Sequence, residues 1–318
     1  MRTTTTVGLI LAVLTASACY GSDPVGYEFT KEDGEGEIGV WVHSGLYNRL
    51  YELHTPPSMG DGKLHPLIVF LHGAGDSGPS FKRRIRADDL TDPGGFITVW
   101  PSGMEGTWTV GCADGCTWAE ALKAEDDTFL ETLIRQLADS LPVDTTRIYL
   151  MGYSQGGQLA QVYACKSSLT PAGIGVVAAE LYKATGSSCA PSGRFAVGVL
   201  HGDADPIAFY GGFGPGAVVM SVPETVQVWL DLFGCGNTPT SQFLPDKVGD
   251  FTSATIYRYP GCDAGSSVAL YRVHNGGHTW PGDTGPWPGV VGRRSGNIDA
   301  TAQFLSLFAS VGEGVAGR

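Results

Sequence analysis

The stretch RIYLMGYSQGGQLAQVYACKS, residues 147–167, constrains the fold more than any other part of the chain. It opens as a short apolar run and closes with Leu159, Ala160, Val162 and Tyr163 at helical spacing, with only GYSQGG between. A strand that enters a helix without a loop must turn sharply. Gly152 and Gly156 relieve the crowding of such a turn and leave the Ser154 hydroxyl exposed at the strand's C-terminal end. The G-x-S-x-G pattern alone is weak, because a chain with 46 glycines in 318 residues produces it by chance about once in every two shufflings. The strand-to-helix junction is what makes Ser154 a candidate nucleophile; the competing role at that position is a helix N-cap.

The same alternation of strand and helix patterns runs through the chain. PLIVFLHG and FITVWPSG are short apolar runs ending in glycine, as strands buried on both faces do. WVHSGLYNRLYELHTP alternates around Ser44-Gly45 and predicts an antiparallel hairpin at the sheet edge. In DDTFLETLIRQLADSL, Phe129, Leu130, Leu133, Ile134 and Leu137 share a helix face behind two acids that suit its N-terminus. IGVVAAE, FAVGVLHG, TIYRYP and VALYRVH read as strands, VPETVQVWLDLFGC and IDATAQFLSLFAS as helices. The order predicts an α/β architecture, a doubly wound and mostly parallel sheet in a single domain over residues 38–312, with 313–318 as a tail.

A serine hydroxyl is a poor nucleophile at neutral pH and needs a base, an acid to orient that base, and N–H donors for the oxyanion. In such sheets these groups stand on loops after later strands, in the order serine, acid, histidine. FAVGVLHGDADPI supplies Asp203 and Asp205 just past a strand, and either can serve; Pro206 stiffens the turn at Asp205. Of seven histidines, His43, His54 and His65 precede the sheet core and His274 falls inside VALYRVH, whereas His278 follows Asn-Gly-Gly at a strand end, downstream of serine and acid. It is the candidate base. Gln155, after the serine, and Ala74, in the turn HGAGDSG, are the candidate oxyanion donors. That turn lacks the G-K-[ST] ending of a phosphate-binding P-loop.

SGLYNRLYELHTP, LHGAGDSG, EDDTFLETLI, RIYLMGYSQGG, HGDADPIAFYGG, GGHTWPG and NIDATAQFL follow one another in an order that resembles the esterase/poly(3-hydroxybutyrate) depolymerase family, over about residues 38–310. That family includes feruloyl esterases, acetyl xylan esterases and many bacterial lipoprotein esterases. The resemblance implies an α/β-hydrolase fold and a triad of Ser154, Asp205 and His278, with Asp205 rather than Asp203 at the family's spacing. Gln155 stands where the family commonly has a small residue or Asn. The implied activity is serine-dependent carboxylic ester hydrolysis through an acyl-enzyme, with no metal or organic cofactor. Feruloyl or acetyl esters of plant polysaccharide are the expected substrates, polymer-borne or oligomeric, and hydroxybutyrate oligomers the alternative. A different class, a non-catalytic surface binding protein, would have lost one of the three groups. Trp108, Trp118, Trp280 and Trp287 flank these motifs and are candidate stacking surfaces for a sugar or aromatic acyl group, or else plain loop packing.

The N-terminus, MRTTTTVGLILAVLTASAC, has one basic residue, an apolar run too short to span a bilayer and an A-x-A site at 16–18, which predicts a signal peptide over residues 1–18. Cys19 directly follows and resembles the lipidated cysteine of a lipobox, with residues 19–37 as an acidic, glycine-rich tether. Secretion without a lipid is the alternative, and either way the expected location is extracytoplasmic. Six cysteines remain, and nearest-neighbour pairing predicts Cys112–Cys116, Cys165–Cys189 and Cys235–Cys262. A metal site is disfavoured, since C-x3-C has no histidine nearby. A net charge of −12 argues against nucleic acid or an anionic membrane surface as partner, leaving a lipid at Cys19 as the only expected membrane contact.

Overall fold

A computed structural model describes residues 30–31, 38–44, 47–111, 125–214, 216–285 and 287–316. The expected leader, most of the tether, Cys19, the Cys112–Cys116 pair and Trp118 lie outside the described residues. Among the described residues eleven strands form one sheet: β1 Thr30–Lys31, β2 Ile38–Ser44, β3 Tyr47–His54, β4 His65–Leu71, β5 Ile97–Pro101, β6 Val143–Tyr153, β7 Gly173–Val177, β8 Ala196–Gly202, β9 Thr240–Leu244, β10 Ser253–Tyr259 and β11 Ser267–His274. Their order is β1-β2-β3-β5-β4-β6-β7-β8-β11-β10-β9. The interior from β5 to β11 is parallel and both margins are antiparallel, so the sheet is doubly wound at its centre and hairpin-built at its edges.

The helices are α1 Gly78–Ile85, α2 Asp88–Thr91, α3 Asp126–Ser140, α4 Gln155–Lys166, α5 Lys183–Ser188, α6 Val222–Leu232 and α7 Ala300–Ala316. The last of these runs past the expected domain boundary at 312 into the expected tail. Among the described residues no helix is long and apolar enough to cross a membrane.

Because strand side chains alternate, the fully buried runs feed two cores. Leu67, Val69 and Leu71 of β4, with Ile148 and Leu150 of β6, join α3, α4 and α6 on one face. Ile68 and Phe70, with Tyr149, Met151 and Tyr153, join α1 and α7 on the other. Phe304 of α7 lies so close to the sheet that a Cβ on Gly175 would come within 2.4 Å of its ring and one on Gly198 within 2.7 Å. Glycine at both sites lets this ring lie flat on β7 and β8, and full burial of such a side chain contributes about 1.5–3 kcal/mol.

Two buried ion pairs fix the parallel centre to its margin. Arg49 of β3 pairs with Asp126 at the start of α3, its guanidinium 4.4 Å above the Phe129 ring, and Asp126 also accepts from the Thr109 N–H at 2.6 Å. Lys82 of α1 meets Glu52 of β3 at 2.8 Å. Removing one partner of such a pair strands a buried charge at a cost of about 3–5 kcal/mol. Disulfides join Cys165 to Cys189, at the ends of α4 and α5, and Cys235 to Cys262, after α6 and β10. Closing loops of 24 and 27 residues, each contributes about 3–4 kcal/mol on the chain-entropy account.

Candidate active site

Ser154 sits between β6 and α4 with φ 51° and ψ −122°, a backbone conformation that costs a non-glycine residue about 1–3 kcal/mol. Its own N–H is held by the Val177 carbonyl at 2.8 Å, while its carbonyl accepts from Gly157 and Gln158. The flanking glycines are required by contact rather than by dihedral. A Cβ on Gly152 would fall 2.2 Å from the Gly156 carbonyl oxygen, and one on Gly156 2.2 Å from that of Leu71. The N-cap alternative does not apply, since the Ser154 side chain makes no capping bond to α4.

Instead Ser154 Oγ lies 2.9 Å from His278 Nε2, and His278 Nδ1 lies 2.7 Å from Asp205 Oδ2. His278 is held from three sides: its N–H donates to the Val291 carbonyl, its carbonyl accepts from the Tyr153 hydroxyl at 2.8 Å, and its ring packs on Tyr153 at 5.1 Å. Asp205 is buried, and Oδ1 accepts from the Ile207 and Ala208 N–H groups. Burial pushes its carboxyl up, but hydrogen bonds and charge from His201 and His278 outweigh that and hold it well below the usual carboxylate range. Asp203, the other acid left open by the sequence, is taken by Asn275, Arg272 and His274 at the end of β11. His54 and His65 contact Asp92 and the Gly95 carbonyl, away from the serine.

The turn after β4 rests against the serine, for a Cβ on Gly73 would lie 3.3 Å from Ser154 Cβ. Gly75 N–H is taken by the Gly106 carbonyl, whereas neither Ala74 N–H nor Gln155 N–H has an acceptor among the described residues. His72 fixes the turn: its Nδ1–H donates to the Gly73 carbonyl at 2.8 Å, and Nε2 accepts from Gly103 N–H at 2.9 Å. Burial pushes its pKa down to about 4, so it is neutral in this role at pH 7. Residues 73–78 also fit the G-x-G-x-x-G spacing of dinucleotide sites, but β5 ends in Pro101 and is followed by Ser102 instead of the acid a ribose requires.

Of the four expected stacking tryptophans Trp118 lies outside the described residues, and two of the other three are not surfaces. Trp108 is fully buried; its backbone N–H donates to Gln155 Oε1 and its indole N–H to the His72 carbonyl, both at 2.9 Å. It therefore ties the serine turn to the glycine turn, and this accounts for a glutamine at 155. Trp280 is buried between Phe81 and Phe304. A fully buried ring cannot stack on a ligand, so the stacking role is withdrawn for both. Trp287 is half-buried, 5.2 Å from the Tyr153 ring, with Arg84 above it and its indole N–H on Asp283 at 2.6 Å.

Burial pushes Asp283 up to about 6 against the opposing pull of Trp287, Arg294 and Arg84. A carboxyl whose pKa rises on folding contributes stability below its unfolded value near 3.8, and that contribution is lost as pH rises through about 6. Between pH 4 and 7 the wild type should therefore lose up to about 3 kcal/mol relative to Asp283→Asn in urea denaturation. Identical pH dependence of the two chains would contradict the shift.

A serine, a histidine and an aspartate in this relay, on a parallel sheet with a strained strand-to-helix turn, define a serine hydrolase of the α/β type. The family model for esterase PHB depolymerases matches residues 49–211, and the chain belongs to that family. It is 27% identical to the esterase-named NocK of Nocardia uniformis subsp. tsuyamanensis, over 94% of this chain and 97% of that one. Feruloyl esterase D of Neurospora crassa is 25% identical over 87% of this chain and 89% of its own. Among solved structures, an acetyl xylan esterase from Aspergillus awamori superposes with a TM-score of 0.56 at 15% identity, covering 73% of this chain and 89% of the other. The protein is a serine carboxylic-ester hydrolase with an α/β-hydrolase fold.

Sequence reasoning overlooked His72, His201 and Tyr153. The signal for two of them was present: Leu-His-Gly stands at the C-terminal end of β8 and across the end of β4, and a histidine at the end of an apolar strand is buried and must be partnered.

Proposed function

We propose that the protein cleaves feruloyl or acetyl esters carried by plant polysaccharide, outside the cytoplasm, through an acyl-enzyme on Ser154. The relay Ser154 Oγ–His278 Nε2–His278 Nδ1–Asp205 Oδ2, with distances of 2.9 and 2.7 Å, carries this reading. Oγ attacks the ester carbonyl carbon as its proton passes to His278 Nε2, and Asp205 stabilises the imidazolium. The Ala74 and Gln155 N–H groups receive the oxyanion. When the tetrahedral adduct collapses, Nε2–H protonates the departing alcohol oxygen, leaving the acyl group on Oγ. Water then gives its proton to Nε2 and attacks the same carbon, releasing the acid and restoring the serine.

The feruloyl and acetyl classes are supported by the names of the relatives, and the half-buried Trp287 beside Tyr153 suits an aromatic acyl group or a sugar ring. Hydroxybutyrate oligomers are the second reading, favoured by the exposed Ile207, Phe209 and Phe213 on the loop after Asp205, which suit an aliphatic polyester. The two disulfides support an oxidising compartment, with residues 1–18 as leader and Cys19 as a lipid anchor at the end of the 19–37 tether. Initial rates of the chain from residue 20 on methyl ferulate, acetylated xylan and 3-hydroxybutyrate trimer should be highest on one of the first two. A preference for the trimer would move the assignment to the polyester branch, and cleavage of none of them would overturn both.

A further inference from the structure

Behind the triad lies a second histidine that the reaction as described leaves without a task. His201 closes β8, is completely buried, and points Nε2 at three oxygens: the Ala208 carbonyl at 2.9 Å, Asp205 Oδ2 at 3.4 Å and Glu180 Oε1 at 4.0 Å. Because the Ala208 carbonyl at hydrogen-bond distance can only accept, Nε2 must carry a proton. We propose that His201 is a positioning residue of the esterase, whose Nε2–H is donated to the Ala208 carbonyl at 2.9 Å and also faces Asp205 Oδ2 at the longer 3.4 Å, helping to keep the carboxylate in the orientation that presents Oδ2 to His278 Nδ1. The inference rests on the reading of Ser154, His278 and Asp205 as the catalytic relay.

The geometry leaves Asp205 little else to fix that oxygen. Oδ1 is pinned by the Ile207 and Ala208 N–H groups, which set the position of one oxygen but leave the carboxylate free to rock about it. Oδ2 has two neighbours, His278 at 2.7 Å and His201 at 3.4 Å, and of these His278 is the group that must shuttle a proton. The same Ala208 residue gives its N–H to Asp205 and its carbonyl to His201, so the three groups close a ring.

Around His201 stand Glu180 from the loop after β7, Asp205 and Tyr210 from the loop after β8, and His278 from the loop after β11, on the far side of Asp205. Glu180 Oε1 and His201 Nδ1 are both buried and have no hydrogen-bond partner among the described residues. Burial pushes the Glu180 carboxyl up, which favours its neutral form beside the two other groups. A polar cluster this deep, with two unsatisfied atoms, is costly and has to be offset by what it does for Asp205.

The test uses kcat, KM and pH profiles on a nitrophenyl ester for wild type, His201→Leu, His201→Gln and His201→Asn, with Ser154→Ala as control. His201→Leu removes the donor. Its kcat should fall by about 10-fold, the low end for loss of a polar contact to a charged group, with KM within about twofold. Without that N–H the Asp205 carboxylate becomes more basic and holds the adjacent imidazolium more tightly. The acid limb of kcat/KM should therefore move up by about 0.5–1 pH unit. The Gln amide nitrogen reaches the Nε2 position and should keep kcat within about threefold of wild type, whereas the shorter Asn amide should behave like Leu. The inference is overturned if Leu and Asn match wild type in kcat and pH profile, if Gln is no better than Leu, or if all three variants fail to fold by circular dichroism. Activity in Ser154→Ala would instead sink the esterase relay on which it rests.

Discussion

Ser154→Ala and Ser154→Gly should be equally inactive and unequally stable. Either substitution removes the attacking oxygen, and kcat/KM on any ester should fall by about 10⁴-fold or more. Stability separates them because φ is 51° and ψ −122° at this residue, where alanine remains strained and glycine does not. The relief of about 1–3 kcal/mol exceeds the roughly 0.5–1 kcal/mol that glycine loses through the freer unfolded chain. The glycine variant should therefore be more stable than the alanine variant by about 1 kcal/mol, a rise in Tm of about 2 °C. Equal melting of the two would mean that the turn stores no strain, and turnover by either would require another nucleophile.

Asp205→Asn should lower kcat by about 10³- to 10⁴-fold at pH 7. The direction follows from which oxygen is pinned. Ile207 and Ala208 donate two N–H bonds to Oδ1, so the amide oxygen of an asparagine must take that place and its NH2 must take the place of Oδ2. The NH2 then faces His278 Nδ1 as a donor, and the imidazole can answer only by carrying its proton on Nε2, where it can no longer receive one from Ser154. Folding should be little affected, so melting and rate measured together separate this from collapse of the site. A variant within about tenfold of wild type would show that the carboxylate is not what fixes the tautomer.

The fold was legible where burial writes itself into the sequence. PLIVFLHG, FITVWPSG and FAVGVLHG are runs with no polar face, and the structure uses them as the parallel interior. Helix α1 was not legible, since GPSFKRRI buries only Phe81 and Ile85 as apolar side chains and its Lys82 is buried because Glu52 lies far away in sequence. The edge strand β9, TSQFL, is mostly exposed and carries no alternation to read. For the relay, chain order and strand ends were enough to single out Ser154 and His278 and to narrow the acid to two. What separates Asp203 from Asp205 is a set of long-range partners, Asn275 and Arg272 for one and His278 for the other. The tryptophans misled for the same reason: Trp108 sits in a loop by sequence, but its N–H groups are spent on Gln155 and His72, so the loop is core.

Ser154, Asp205 and His278 stand at the ends of β6, β8 and β11, and β11 pairs with β8 across the intervening α6–β9–β10 excursion. No single hairpin or strand–helix unit holds all three, and a chain that has assembled β4 to β7 but not docked β11 possesses the serine without its base. In refolding, cleavage of ester is therefore a clock for the last long-range pairing, lagging the return of helix and strand signals that local segments can recover sooner.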